Sequence, residues 1–224
     1  MENISLIRYS PDSNDYLLTA QLVECYRDVF ADTPWNEWLK CSKCGKYWGV
    51  KDQGLLASLN FRHCDIPLVD FWSREQVLFD LRHEIISGSS CWLAMSNKTV
   101  VGFCWGYPIN ISDLETKLGV SFNTELEYNF GTSGLAAYQD EVGVLSAYRG
   151  RKIAKAMIIH RLNDFLTQGL QIGIVRTRQK PEPSETFMWY TQKLGYKILA
   201  NYPNDDGRVI LVRQLSGLKE LLTS

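Results

Sequence analysis

Residues 138–165 read YQDEVGVLSAYRGRKIAKAMIIHRLNDF, and the fold is decided by how this stretch is read. Tyr138 to Ser146 has the character of a strand. From Ile153 onward, Ala154, Met157, Ile158, Leu162, Phe165 and Leu166 fall at helical spacing until Gly169. Between strand and helix lies a basic turn, Tyr148-Arg149-Gly150-Arg151-Lys152. A helix N-terminus presents four unpaired N–H groups and a partial positive charge, so a tight turn feeding one is a ready anion site. Arg149, Arg151 and Lys152 add full charges there, and Gly150 lets the backbone approach a ligand closely. A pyrophosphate suits such a turn; a solvated basic turn capping a sheet is the other reading of the same residues.

Outward from this stretch the elements follow in a simple order. Asn3 to Tyr9 reads as a first strand, and Ser13 or Asn14 then caps a helix over Asp15 to Phe30, where Leu18, Leu22, Tyr26 and Phe30 recur four apart. Asp32 to Phe71 shows no sustained period and is read as an inserted element. Ser73, with Gln76 three residues on, opens a second helix running towards Gly88. Cys91 to Met95 and Thr99 to Tyr107 form a hairpin across Ser96-Asn97-Lys98. Residues 110–137 are mixed and polar and read as a variable loop, with one helix near Asp113 to Leu118. After the helix at 153, Leu170 to Thr177 is a strand, Ser184 caps a helix stopped by Gly195, and Tyr196 to Asn201 with Arg208 to Leu215 close the chain as a hairpin around Asn204-Asp205-Asp206-Gly207.

Composition narrows the class further. With 45% hydrophobic and 22% charged residues, the 224-residue chain is an ordinary globular one, not a disordered or fibrous one. Twenty-four Lys+Arg against 25 Asp+Glu exclude a surface that is one large nucleic-acid or membrane footprint. Met1 to Asp15 lacks the pattern of a secretory leader, and the longest apolar stretch, Val100 to Ile109, is broken by Gly102, Gly106 and Pro108. The expected location is the cytoplasm. Motifs of the GxSxG, phosphate-binding Gly-Lys-Ser/Thr and HExxH types are absent, which removes the common hydrolase, triphosphatase and zinc-protease readings.

At the basic turn the chain resembles the GCN5-related N-acetyltransferase (GNAT) superfamily. The family's turn runs (Q/R)xxGx(G/A); Arg149-Gly150-Arg151-Lys152-Ile153-Ala154 matches its first and last positions, with Lys152 in place of the middle glycine. Glu141-Val142-Gly143-Val144 resembles the family's fourth strand, Lys193-Leu194-Gly195-Tyr196 resembles the end of its fourth helix, and the element order agrees from residue 3 to about 215, inserts excluded. The resemblance implies an α/β (α+β) fold, a single domain over 1–224 with a mixed, mostly antiparallel sheet flanked by helices. It also implies acetyl-CoA as donor and a primary amine, on a small molecule or peptide, as acceptor. Pantetheine would pair with the backbone at Val142 and Val144, and Arg149, Gly150, Arg151, Lys152, Ile153 and Ala154 would hold the pyrophosphate. Lys152 can still donate its amide at negative φ. Glu141 stands where many members carry the base, with a strand-end ion pair as the other reading. The family's acid is a tyrosine in Tyr-x-x-Leu-Gly; counting back from Leu194-Gly195 reaches Thr191, with Tyr190 about 100° round the helix. Tyr190 is therefore either the acid or an aromatic packed beside Phe187 and Trp189.

The insert carries a second chemistry. Cys41-Ser42-Lys43-Cys44-Gly45 is a knuckle able to hold a tetrahedral Zn²⁺, and His63 and Cys64 lie at ribbon distance from it. Because they are adjacent, both reach one metal only from an irregular backbone. A structural zinc held by Cys41, Cys44, His63 and Cys64 is one reading; reduced thiols packed among Trp35, Trp38 and Trp48 are the other. Cys25, Cys91 and Cys104 fall on core positions. The function expected is acetyl transfer from acetyl-CoA, with a non-catalytic acyl-CoA-binding or protein-interaction module as the alternative; nucleic-acid and membrane partners are not expected.

Overall fold

The computed structural model describes residues 3–11, 15–131, 134–180, 182–203 and 207–216. Its first half runs β1 (Ile4–Arg8), α1 (Tyr16–Ala31), β2 (Leu39–Lys40), β3 (Tyr47–Trp48), α2 (Gln53–Ser58), β4 (Arg62–His63), β5 (Ile66–Pro67), β6 (Val69–Asp70) and α3 (Arg74–Glu84). The second runs β7 (Ser90–Ser96), β8 (Thr99–Asn110), α4 (Ile111–Leu118), α5 (Asn123–Phe130), β9 (Leu135–Val144), α6 (Ile153–Thr167), β10 (Ile172–Arg178), α7 (Glu185–Gln192), β11 (Lys197–Asn201) and β12 (Arg208–Gln214). The main sheet has seven strands in the order β1-β7-β8-β9-β10-β12-β11. It is mostly antiparallel; β9 and β10 pair in parallel, as a connection through the helix α6 requires. By contacts the chain divides into two compact units, one comprising 1–86, 91–104 and 142–157, the other 87–90, 105–141 and 158–224.

In the first unit, β1 pairs antiparallel with β7 from Ile4 opposite Ser96 to Arg8 opposite Trp92. The β7–β8 hairpin turns on Asn97 and Lys98 at φ 48° and 68°, the paired positive values of a two-residue turn that follows strand twist. Helix α1 is capped by Asp15, whose carboxylate accepts from the Leu18 amide at 2.9 Å; Ser13 and Asn14, the expected caps, lie outside the described residues. It buries Leu22, Val23, Cys25, Tyr26, Val29 and Phe30, with the Tyr26 and Phe30 rings against Phe103 at 5.4 and 6.4 Å between centroids. Ser73 caps α3 as its sequence signals, accepting from the Gln76 amide at 3.1 Å, but the Gln76 side chain turns forward to Asp80 at 2.8 Å and does not complete the reciprocal box. The aperiodic insert is not a loop. It folds as a three-stranded sheet, β3-β2-β6, and a two-stranded one, β4-β5, around Cys41, Trp48 and Leu56.

In the second unit, β10 and β12 pair antiparallel from Ile172 opposite Gln214 to Arg178 opposite Arg208, and β12 carries β11 at its other side. The expected turn at Asn204-Asp205-Asp206 lies outside the described residues. Residues 110–137, expected as a loop with one helix, hold two helices. The reason is burial: Ile111, Leu114 and Leu126 are fully buried and Leu118 nearly so, worth roughly 1.5–3 kcal/mol each. Glu115 also accepts from the amides of Phe122 and Asn123, which closes the turn into α5. Ser184 caps α7, accepting from the Phe187 amide at 3.0 Å. Among the described residues no helix is long and apolar enough to cross a membrane.

Candidate functional site

The basic turn lies in the first unit. After Val144 the chain makes a short 3-10 turn over Ser146–Tyr148 and enters α6 at Ile153. Gly150 has φ 76°, a left-handed value with open space around it. Lys152 has φ 63°, so the condition set on its amide, a negative φ, is not met: the lysine takes the conformation that glycine takes in such a turn. Its carbonyl accepts the first helical bond, from Ala156 at 3.0 Å. The amides of Ile153, Ala154 and Lys155 therefore precede the first intrahelical donor and form the free N-terminus of α6.

Two of the three cations are engaged within the protein. Arg149 donates through Nε to the Val144 carbonyl at 3.0 Å and through Nη1 to the Thr33 carbonyl at 2.7 Å. Arg151 donates to the Ala147 carbonyl at 3.3 Å and lies 5.0 Å over the Tyr148 ring. Both guanidinium groups thus brace the turn. Asp32 adds to the brace: the Thr33 amide, at 2.7 Å, and then the Ser146 hydroxyl hold its carboxyl below the usual range.

The acidic pair of β9 lies in the second unit. Asp140 accepts from the Tyr107 hydroxyl at 2.7 Å and from Lys117 at 2.9 Å, and its side chain is 4% exposed. Glu141 is partly buried, and its carbonyl accepts from Arg161 at 2.9 Å. Tyr138 and Asp140 both meet Tyr107 of β8, the first by an edge-on ring contact and the second by its hydrogen bond.

Tyr190 is fully buried on α7. Its hydroxyl donates to Gln139 Oε1 at 2.7 Å and accepts from Arg161 at 2.8 Å, and its ring packs edge-on against Trp189 and Tyr196. Thr191 donates back to the Phe187 carbonyl at 2.8 Å. Trp105 and Tyr107 are buried core residues, as are Cys25, Cys91 and Cys104.

In the insert the structure brings the four metal candidates together: the ligand atoms of Cys41, Cys44, His63 and Cys64 all lie within 4.8 Å of one another. His63 Nδ1 is 3.5 Å from the Cys44 sulfur and 3.2 Å from that of Cys64. The adjacent pair converges because the backbone is irregular there, with φ 51° at Cys64 and 66° at Asp65. Hydrogen bonding from His63 draws the Cys41 thiol down to about 6.

Sequence reading missed Arg161 and Lys117. A signal for the first existed: Met157, Arg161 and Phe165 are spaced four apart on the buried stripe of α6, so a charge occupies a core position.

No protein-family model and no curated protein sequence matches the chain. Solved structures do. The PaiA N-acetyltransferase of Thermoplasma acidophilum, in complex with coenzyme A, is 12% identical over 95% of this chain and 99% of that one, with a TM-score of 0.50. A GNAT-family acetyltransferase of Desulfovibrio desulfuricans is 10% identical over 96% and 100%, with a TM-score of 0.54. NAA60 of Arabidopsis thaliana, in complex with acetyl-CoA, is 12% identical over 96% and 100%, with a TM-score of 0.53. The chain has the GCN5-related N-acetyltransferase fold.

Proposed function

We propose that the protein transfers the acetyl group of acetyl-CoA to a primary amine by direct attack in a ternary complex. The observation that carries this reading is the turn between β9 and α6, where Gly150 and Lys152 both take left-handed φ and leave the first amides of the helix free. Such a cradle suits the pyrophosphate of a CoA thioester, and similar structures hold coenzyme A or acetyl-CoA. In this reading Arg149 and Arg151 shape the cradle from behind, and backbone amides with Lys152 meet the phosphates.

Amine attack on the thioester builds negative charge on its oxygen. A backbone N–H near Val142 to Val144 would stabilise that charge, worth ~3 kcal/mol in comparable sites. Glu141 takes the proton of the attacking ammonium, directly or through one water. Asp140 is committed to Lys117 and Tyr107 and is not the base. With the Tyr190 proton committed to Gln139, the departing thiolate takes its proton from water.

The insert, in the same reading, binds one structural Zn²⁺ through Cys41, Cys44, His63 and Cys64. Tetrahedral bonds of about 2.3 Å to sulfur and 2.0 Å to nitrogen place ligand atoms about 3.5–3.8 Å apart, which the separations here nearly meet. Four protein ligands close the coordination shell, so the ion folds the insert and activates no water. Metal content of one zinc per chain, lost in Cys41→Ser, tests it; a metal-free folded protein refutes it.

The test of function is a thermal shift with acetyl-CoA against adenosine diphosphate, followed by thiol release with spermidine, a tripeptide and an aminoglycoside. A shift specific to acetyl-CoA with turnover that Glu141→Gln abolishes supports the enzyme. Binding without turnover on any amine supports the non-catalytic module, and no shift refutes both.

A further inference from the structure

We propose that Arg161 is a positioning residue for the reactive edge of β9, holding the backbone of Glu141 in place from the buried side of α6. This rests on the reading of Glu141 as the base. Arg161 is 1% exposed. One nitrogen of its guanidinium donates to two main-chain carbonyls on neighbouring strands, Trp105 of β8 at 2.6 Å and Glu141 of β9 at 2.9 Å. The other donates to the Tyr190 hydroxyl at 2.8 Å and to Gln139 Oε1 at 3.3 Å. Gln139 in turn donates to the Tyr196 hydroxyl at 2.7 Å, and burial keeps that phenol protonated by pushing its pKa up.

The position explains why a charge is kept in the core. In a regular ladder the carbonyls of facing strands accept from each other's amides. Here a side chain from α6 also donates to two of them, Trp105 of β8 and Glu141 of β9. Arg161 supplies both carbonyls from one planar group, a geometry that a flexible ammonium does not reproduce. Gln139 and Tyr190 fix the guanidinium plane, with Tyr196 held to Gln139, so the contact to β9 is kept in one conformation. The Glu141 side chain leaves the strand from a backbone atom set by this contact. In this reading Tyr190, left open by the sequence between acid and packed aromatic, helps to hold the guanidinium.

The experiment compares wild type, Arg161→Lys, Glu141→Gln and the double variant. Thiol release from acetyl-CoA to water is followed from pH 6 to 9, acetyl-CoA affinity is measured by calorimetry, and amide exchange is followed strand by strand. Arg161→Lys is expected to lower turnover at least about tenfold, as loss of a charged hydrogen bond does. It should move the midpoint of the pH profile, leave acetyl-CoA affinity within about twofold, and add nothing in the Glu141→Gln background. Amides at 105–107 and 141–143 should exchange at least about tenfold faster, with those of β1 unchanged. An equal fall in turnover in both backgrounds, with an unmoved pH midpoint, overturns the proposal. Unchanged exchange at 141–143 overturns the brace itself. If Glu141→Gln alone leaves turnover intact, the base assignment falls, and exchange still decides whether Arg161 holds the strand.

Discussion

Replacing Lys152 by glycine tests the turn on which the functional reading depends. At φ 63° the Cβ of an L-residue crowds the following carbonyl oxygen, at a cost of roughly 1–2 kcal/mol. Glycine escapes that strain but loses roughly 0.5–1 kcal/mol more backbone entropy on folding. The balance is a gain of about 0–1.5 kcal/mol, which in a chain of this size raises Tm by up to about 5 °C. Lys152→Val should move the other way, because a branched Cβ is worse placed at positive φ. Acetyl-CoA affinity in Lys152→Gly should fall by no more than about fivefold, since the lost ammonium is exposed and screened while the backbone amide is retained. Thermal melting and calorimetric titration of the three proteins measure all of this. A glycine variant that melts below wild type beside a valine variant that melts with it would refute the left-handed assignment. A loss of affinity beyond a hundredfold in Lys152→Gly would show that the side chain, not the backbone, holds the phosphates.

Arg149→Ala removes both carbonyl contacts, and after allowance for solvent screening should cost about 1–2 kcal/mol and lower Tm by roughly 3–6 °C; weaker acetyl-CoA binding without any loss of Tm would show that the guanidinium faces the ligand instead. Removing metal with a strong chelator should lower the melting temperature and open residues 39–70 to protease, as should Cys64→Ser; an unaltered melt and digest would refute a zinc-folded insert. The Asp32 carboxyl is held below its unfolded value, so its contribution is present above the usual carboxylate range and is lost as pH falls through the folded pKa. Asp32→Asn should therefore melt below wild type at neutral pH, with the gap closing as pH falls below the usual carboxylate range, and equal melting at neutral pH would count against the contact.

Much of the site was legible because its signals are local. The capping by Ser73 and Ser184 needs only residues three apart, and both caps form. The basic turn announces itself by charge, glycine and the onset of a helical stripe. The cysteine knuckle needs only its spacing, and the irregular backbone demanded by adjacent His63 and Cys64 is present. What failed to show was decided by packing. The 110–137 stretch looked polar because apolar residues such as Ile111, Leu114, Leu118, Phe122 and Leu126 are interspersed with polar and charged ones, and only burial against one core makes them count. Tyr190 stood one residue out of register for its expected role, and only the network of Gln139, Arg161 and Tyr196 gives that register a purpose.

By itself, then, the sequence determined the order of elements, the basic turn before α6 and the identity of the four metal candidates, since each depends on residues within a few positions or on composition. Tertiary structure decided which cations are engaged, which carboxylate is committed and which carbonyls Arg161 holds, because Thr33 lies far in sequence from Arg149, Lys117 from Asp140, and Arg161 from Trp105 and Glu141. Hydrogen bonds of that kind are set by the three-dimensional path of the chain, and no pattern along the sequence encodes them.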